Sequence, residues 1–108
     1  MSINAFTPMG NTVAFTAFTA APTPVQATSA SAAATQYLVQ NSGNAVVFLG
    51  VGATSANATS NAATVTSTGA SIPLLPTTVQ VLTFNANAYF TGVATANCGV
   101  YITPGDGI

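Results

Sequence analysis

The sequence predicts an all-β fold: a compact β-sandwich or jelly roll of about seven to nine short strands with an extended N-terminal arm. Three observations point there. Thr and Val are abundant while helix formers other than Ala are scarce, and β-branched side chains restrict χ1 and suit a pleated surface. Gly, Pro, Asn and Ser recur at short intervals and cut the chain into runs of strand length. Charged residues make up 1% of the 108-residue chain and hydrophobic ones 49%, the reverse of the composition that keeps a chain disordered. A chain of this length can bury one core without staples. Residues 13–108 therefore read as a single β-sandwich domain behind an arm over residues 1–12.

In the arm, Pro8 and Gly10 act as breakers. VAFTAFTA, Val13 to Ala20, reads as a strand. Phe15 and Phe18 cannot share one face of a regular strand, which implies a bulge or burial on both sides. The prolines at 22 and 24 interrupt the ladder before a short strand from Val25 to Thr28. SASAAA, Ser29 to Ala34, is too short to hold a helix alone and reads as a loop or one helical turn.

Thr35 to Asn41 and Ala45 to Val51 flank the turn sequence NSGN. Gly and Asn tolerate positive φ there, so the two runs read as a hairpin. The second run is apolar on both faces, which predicts a central strand covered on each side. Gly52 to Gly69 is rich in Ala, Thr, Ser and Asn and reads as a loop with an edge strand at Thr64 to Thr68. SIPLLP, Ser71 to Pro76, is bracketed by prolines and suits an edge. Thr78 to Phe84, Ala88 to Ala94 and Cys98 to Thr103 read as strands, and PGDG closes the chain as a turn stabilised by the Asp106 carboxylate.

Asp106 is the only charged side chain, for Lys, Arg, His and Glu are all absent. A Ser nucleophile has no His or Lys base to activate it. Glycoside hydrolysis normally takes two carboxyl groups, and zinc takes at least three ligands from His, Cys or carboxylates. Only Cys98 and Asp106 qualify. No catalytic residue, metal set or cofactor site is expected, and the chain reads as a non-enzyme. GVGAT, Gly50 to Thr54, lacks the spacing and the Lys of a phosphate loop. Cys98 stands alone and reads as a small buried hydrophobe. Without cations the chain cannot neutralise phosphates, so neither nucleic acid nor an anionic membrane is an expected partner. The longest apolar run, Ala45 to Ala53, falls far short of the roughly 20 residues that span a bilayer. The first ten residues show no basic segment followed by an apolar stretch, so synthesis in the cytoplasm without export is expected.

What remains is binding by shape, apolar contact and neutral hydrogen bonds. A chain with a formal net charge of -1 repels its own copies little. Soluble proteins often guard strand edges with charge, and none is present to do so. TVQVLTF combines high β-propensity with no charge and no Pro. Assembly with further copies or with a larger scaffold is the expectation.

Three stretches, VQATSASAAATQYLVQNSGNAVVFLGVG, SIPLLPTTVQVLTF and AYFTGVATANCGVYITPGDGI, together resemble small virion proteins of tailed bacteriophages. They are most similar to capsid decoration, or cement, proteins. The resemblance runs from Val25 to Ile108. It rests on strand order, the Asn-x-Gly turn after a Tyr-containing strand, and the terminal TPGDG. It implies a β-sandwich or jelly roll that forms homodimers or homotrimers on the capsid exterior and bridges major capsid protein subunits. It implies no cofactor, and in the arm Phe6 is the candidate interface anchor, since aromatic side chains dominate such contacts; packing of Phe6 on its own domain is the other reading. Three further readings compete: a tail-fibre or receptor-binding module, a lectin-like domain, and an ice-binding surface suggested by the Thr and Ala content.

Overall fold

The structure, a computed structural model, describes residues 6–28, 35–62 and 71–106. The expected loop or turn at Ser29 to Ala34 and edge strand at Thr64 to Thr68 lie outside them. In chain order the described elements are β1 (Thr7–Pro8), β2 (Val13–Ala17), β3 (Val25–Gln26), β4 (Gln36–Asn41), β5 (Val47–Gly52), α1 (Ser55–Asn61), β6 (Ile72–Leu74), β7 (Thr78–Thr83), β8 (Tyr89–Val93) and β9 (Cys98–Asp106). The mostly β architecture expected from the sequence is present, as two antiparallel sheets. One runs β1-β9-β4-β7, with β2 also paired to β9; the other runs β3-β8-β5-β6.

The pairing has a simple logic. Phe15 lies opposite Val100, Val25 opposite Phe90, Tyr37 opposite Leu82 and Leu49 opposite Ile72. Each pair nests inside the one before it. The chain is thus one long hairpin, doubled back around α1, whose paired strands fall alternately into the two sheets. That is the strand order of a jelly roll.

Alternation along each strand puts one face of each sheet into the core. In the first sheet Tyr37, Val39 and Ile102 are fully buried, and in the second Leu49, Leu74 and Phe90 meet them. Each such side chain contributes about 1.5–3 kcal/mol by leaving water. The Tyr37 ring stands edge-on to Phe90 at 5.0 Å and Phe84 edge-on to Phe90 at 5.8 Å, an arrangement aromatic rings prefer.

The expected hairpin between the runs ending at Asn41 and beginning at Ala45 is not formed: β4 and β5 lie in different sheets. The reason is the Asn41 side chain. It points into the core, 1% exposed. Its Nδ2 donates to the carbonyls of Ala45 (3.0 Å), Leu74 (3.0 Å) and Leu75 (3.2 Å). Its Oδ1 accepts from the Gly43 amide at 2.9 Å. One amide therefore closes the turn and ties it to the crossing from β6 to β7, so NSGN makes a corner between layers.

β5 is central and covered on both faces, as its apolar pattern predicts. Its inner face meets the first sheet, and its outer face carries α1. The sequence reads that segment as loop, because seven residues of Ser, Ala, Asn and Thr show no apolar stripe. Two features hold the helix. Thr54 caps it, its hydroxyl accepting from the Asn57 amide at 3.2 Å. The missing side chain of Gly50 lets the helix backbone approach, since a Cβ there would lie 2.3 Å from the Ala58 carbonyl oxygen.

Two other local expectations are corrected. No bulge is needed at Phe15 and Phe18, because β2 ends at Ala17, Phe15 is buried and Phe18 is exposed beyond the strand end. PGDG does not form a closing turn: Pro104 to Asp106 continue β9, with Thr7 opposite Asp106 and Pro8 opposite Gly105. Pro104 fits a central strand because its carbonyl faces away from β4 and accepts from the Met9 amide at 2.8 Å. Its nitrogen faces the same way, towards the break between β1 and β2, so the β4 ladder loses no donor.

Asn41→Ala should cost about 3 kcal/mol in denaturant unfolding, since it takes the donor from one buried and two part-buried carbonyls. Asn41→Asp places a carboxylate among the same carbonyl oxygens and raises its pKa above the unfolded value of about 3.9. A raised folded pKa means stability is greatest below the unfolded pKa and falls as pH rises. The variant should therefore be closest to wild type near pH 3 and weakest near pH 7. The wild type, with no His, should change little between about pH 5 and 7. Gly50→Ala should displace α1 and lower the melting temperature.

Candidate functional site

The two sheets present different outer faces. That of β5 and β8 lies under α1, and Thr91 on it is buried, its hydroxyl donating to the Pro22 carbonyl at 2.8 Å. The outer face of the first sheet carries no helix among the described residues.

Register defines this face row by row. Ala14, Tyr101, Gln40 and Val79 stand side by side across β2, β9, β4 and β7. All four are exposed, Tyr101 at 46% and Val79 at 53%. The next row carries Thr103, Leu38 and Val81, each half-buried. The Thr103 hydroxyl lies 2.6 Å from that of Thr12. The described face thus offers hydroxyls, an amide, a phenol and aliphatic carbons, and no charge. Its inner counterparts on the same strands are the core residues, so burial by alternation leaves these side chains outside.

Phe6 sits at the margin of this face. It is half-buried, and its ring lies over Gly105, where a Cβ would come within 2.4 Å of Cζ. The ring occupies space that any other residue at 105 would fill. The Asp106 backbone belongs to β9, opposite Thr7. Cys98 is fully buried, and its Sγ donates to the Ala45 carbonyl at 3.6 Å. Among the described residues no three His, Cys, Asp or Glu side chains gather into a metal-binding group, and no helix is long and apolar enough to cross a membrane.

A cleft of about 280 Å³ opens between the sheets, lined by Val51, Ile72, Phe84 and Ala88 with Asn61 and Asn85. Its nearest polar groups already serve the fold. Asn61 Nδ2 donates to the Val51 carbonyl at 2.8 Å, and the Asn85 carbonyl accepts from the Tyr37 hydroxyl. It holds no titratable side chain.

The sequence singles out Phe6 as a candidate contact and leaves the sheet face unmarked, although alternation in QYLVQ and TVQVLT carries it. Which of the two faces of each strand turns outward depends on pairings between distant segments. No protein family, curated protein or solved structure matches this chain.

Because the face is open, Gln40→Lys and Thr16→Lys should each change unfolding free energy by no more than about 0.5 kcal/mol. Equilibrium unfolding of the two variants measures this; a loss of about 2 kcal/mol or more would mean that the face is packed against something.

Proposed function

We propose that the chain is a structural virion protein that binds the outside of a bacteriophage capsid and stabilises it by bridging major capsid protein subunits. The observation that carries this reading is the exposed, uncharged face of the first sheet, centred on Tyr101, Gln40, Val79 and Leu38. The sequence resemblance to decoration proteins supplies the partner. Jelly rolls include viral capsid domains and lectins alike, so the fold by itself does not choose between them.

The mechanism is mechanical. A docking surface gains from apolar contact and neutral hydrogen bonds, and charge is depleted at interface cores in general. Burying about 1,600 Å² across a joint between two capsid subunits suffices for specific attachment. Once both subunits are held, separating them requires that area to be exposed again, so outward pressure on the shell is opposed. Tyr101 and Phe6 supply the aromatic anchors, Tyr101 from the middle of the face and Phe6 from its margin. No catalysis, cofactor, metal, nucleic acid or membrane takes part, and copies of the chain associate with one another on the shell.

Two measurements test the proposal. Electron cryomicroscopy of the virion should place the chain in many symmetric copies on the head; a location at the tail tip would move the reading to a receptor-binding module. Binding to purified capsids should also be nearly independent of salt between about 50 and 500 mM, since no counterions are released from a neutral face. Tyr101→Lys should weaken that binding at least about tenfold. A binding constant that falls steeply with salt, or that ignores Tyr101→Lys, would overturn the assignment of the face.

A further inference from the structure

We infer that β7 is the seam of a twofold dimer, in which Val81 of one copy lies opposite Val81 of the second and the two first sheets join into one. The inference rests on the self-association within the proposed function and not on the capsid.

β7 ends the first sheet and is hydrogen-bonded to β4 alone among the described elements. The direction of its backbone groups is fixed by one bond beyond the strand. The Phe84 amide donates to the Thr35 carbonyl at 2.9 Å, in register with the β4–β7 ladder. Backbone groups alternate along a strand. Those of Thr78, Gln80 and Leu82 therefore face β4, and those of Val79, Val81 and Thr83 face outward.

The other edges are blunted. β1 contains Pro8 and β6 contains Pro73. β3 is two residues long and follows Pro24. β2 runs on into Phe18, which bridges to Val93 of the second sheet, so that edge bends around the sandwich. β7 has six residues with no Pro and no charge, and Val79 is 53% exposed. Lys is the usual guard for such an edge, and the chain has none.

A second copy is the occupant that this edge fits. Antiparallel pairing about a twofold axis normal to the sheet keeps each copy's outer face outward, so only residues of like parity can meet. With Val81 opposite Val81, Val79 falls opposite Thr83 in both directions. These are the residues whose amides and carbonyls are turned outward, and about six backbone hydrogen bonds close the seam. On the outer face Val81 packs on Val81 and Val79 on Thr83, β-branched pairs that suit cross-strand contact. On the inner face the half-buried Leu82 meets the stem of Gln80 from the other copy. With no charged side chain on the strand, nothing repels the approach.

The test is sedimentation equilibrium of the full isolated chain, without capsid, so that loss of the dimer and loss of capsid binding are read separately. The wild type should run at twice the chain mass of 10.6 kDa at tens of micromolar. Val81→Pro removes an outward amide that β4 does not use, and Val81→Lys sets like charges directly opposite each other. Both should sediment as single chains with wild-type circular dichroism. Should Val81→Pro fail to fold, Val81→Lys decides alone. An equimolar mixture of Val81→Lys and Val81→Glu should return to double mass at low salt, which reports the Val81 to Val81 register itself. A wild type that stays single up to about 100 µM, a trimer, or a Val81→Lys variant that remains dimeric overturns the inference.

Discussion

With no ionic partner to offer, the polar side chains buried in this core are met by neutral hydrogen bonds, and the roll depends on three of them. Asn41, Tyr37 and Thr91 are all buried, and each reaches a backbone carbonyl where the chain passes from one sheet to the other. Asn41 holds the crossing from β6 to β7. Tyr37 holds the crossing from β7 to β8, donating to the Asn85 carbonyl and accepting from the Ala88 amide. Thr91 holds the segment between β2 and β3. A jelly roll has no local hairpin to hold these passages, since the strands that flank each of them lie in different sheets. A buried carbonyl left without a donor costs about 1–3 kcal/mol, comparable to the gain from a buried aliphatic side chain. Neutral clasps thus decide whether the layers close as strongly as the apolar core does.

The same shortage of charge shapes the surface. Where most proteins would set Lys or Glu on an exposed sheet, this one sets Gln40, Thr16, Thr103 and Tyr101. Such groups hydrate well enough to keep the face in water and desolvate far more easily than ions do. A face of this kind can be covered by a partner without an ion-desolvation penalty. It can also be left open, because no single apolar side chain dominates it.

Much of the fold is legible in the sequence because it is local. Six of the nine described strands fall within the runs marked out in the sequence, β5 and β9 overlap theirs and run on, and the placement of β5 follows from its apolar pattern alone. What is not legible is set by distant partners. NSGN has the chemistry of a hairpin turn, and only the carbonyls of Leu74 and Leu75, more than thirty residues on, make Asn41 a corner instead. Pro104 is a turn residue by every local rule and sits in a central strand because the facing chain is interrupted there. α1 has no periodic stripe because its seat is built by Gly50 and Gly52 rather than by its own side chains. The open face was hidden for the same reason: alternation shows that a strand has two faces, and only the pairing of β9 with β2 and β4 says which one is outside.

A chain with open edges and a single charged side chain ought to polymerise, and the arrangement of its edges says why it need not. Pairing that uses a different edge on each copy propagates, and the product is a fibre; pairing that uses the same edge on both copies closes after one step. Among the described edges β7 is the longest and carries no proline, while the opposite side of the first sheet is cut by Pro8 and bent around the sandwich through Phe18. In the dimer inferred above, growth would stop at two, with both β7 edges hidden in one seam. The product would be a single continuous sheet carrying the uncharged face twice, on the same side. Two docking faces joined in this way reach two sites on a symmetric surface with a high effective concentration for the second. Under the proposed function, modest contacts without any ion pair would then add up to firm attachment, and the shortage of charge that threatens solubility would serve the docking.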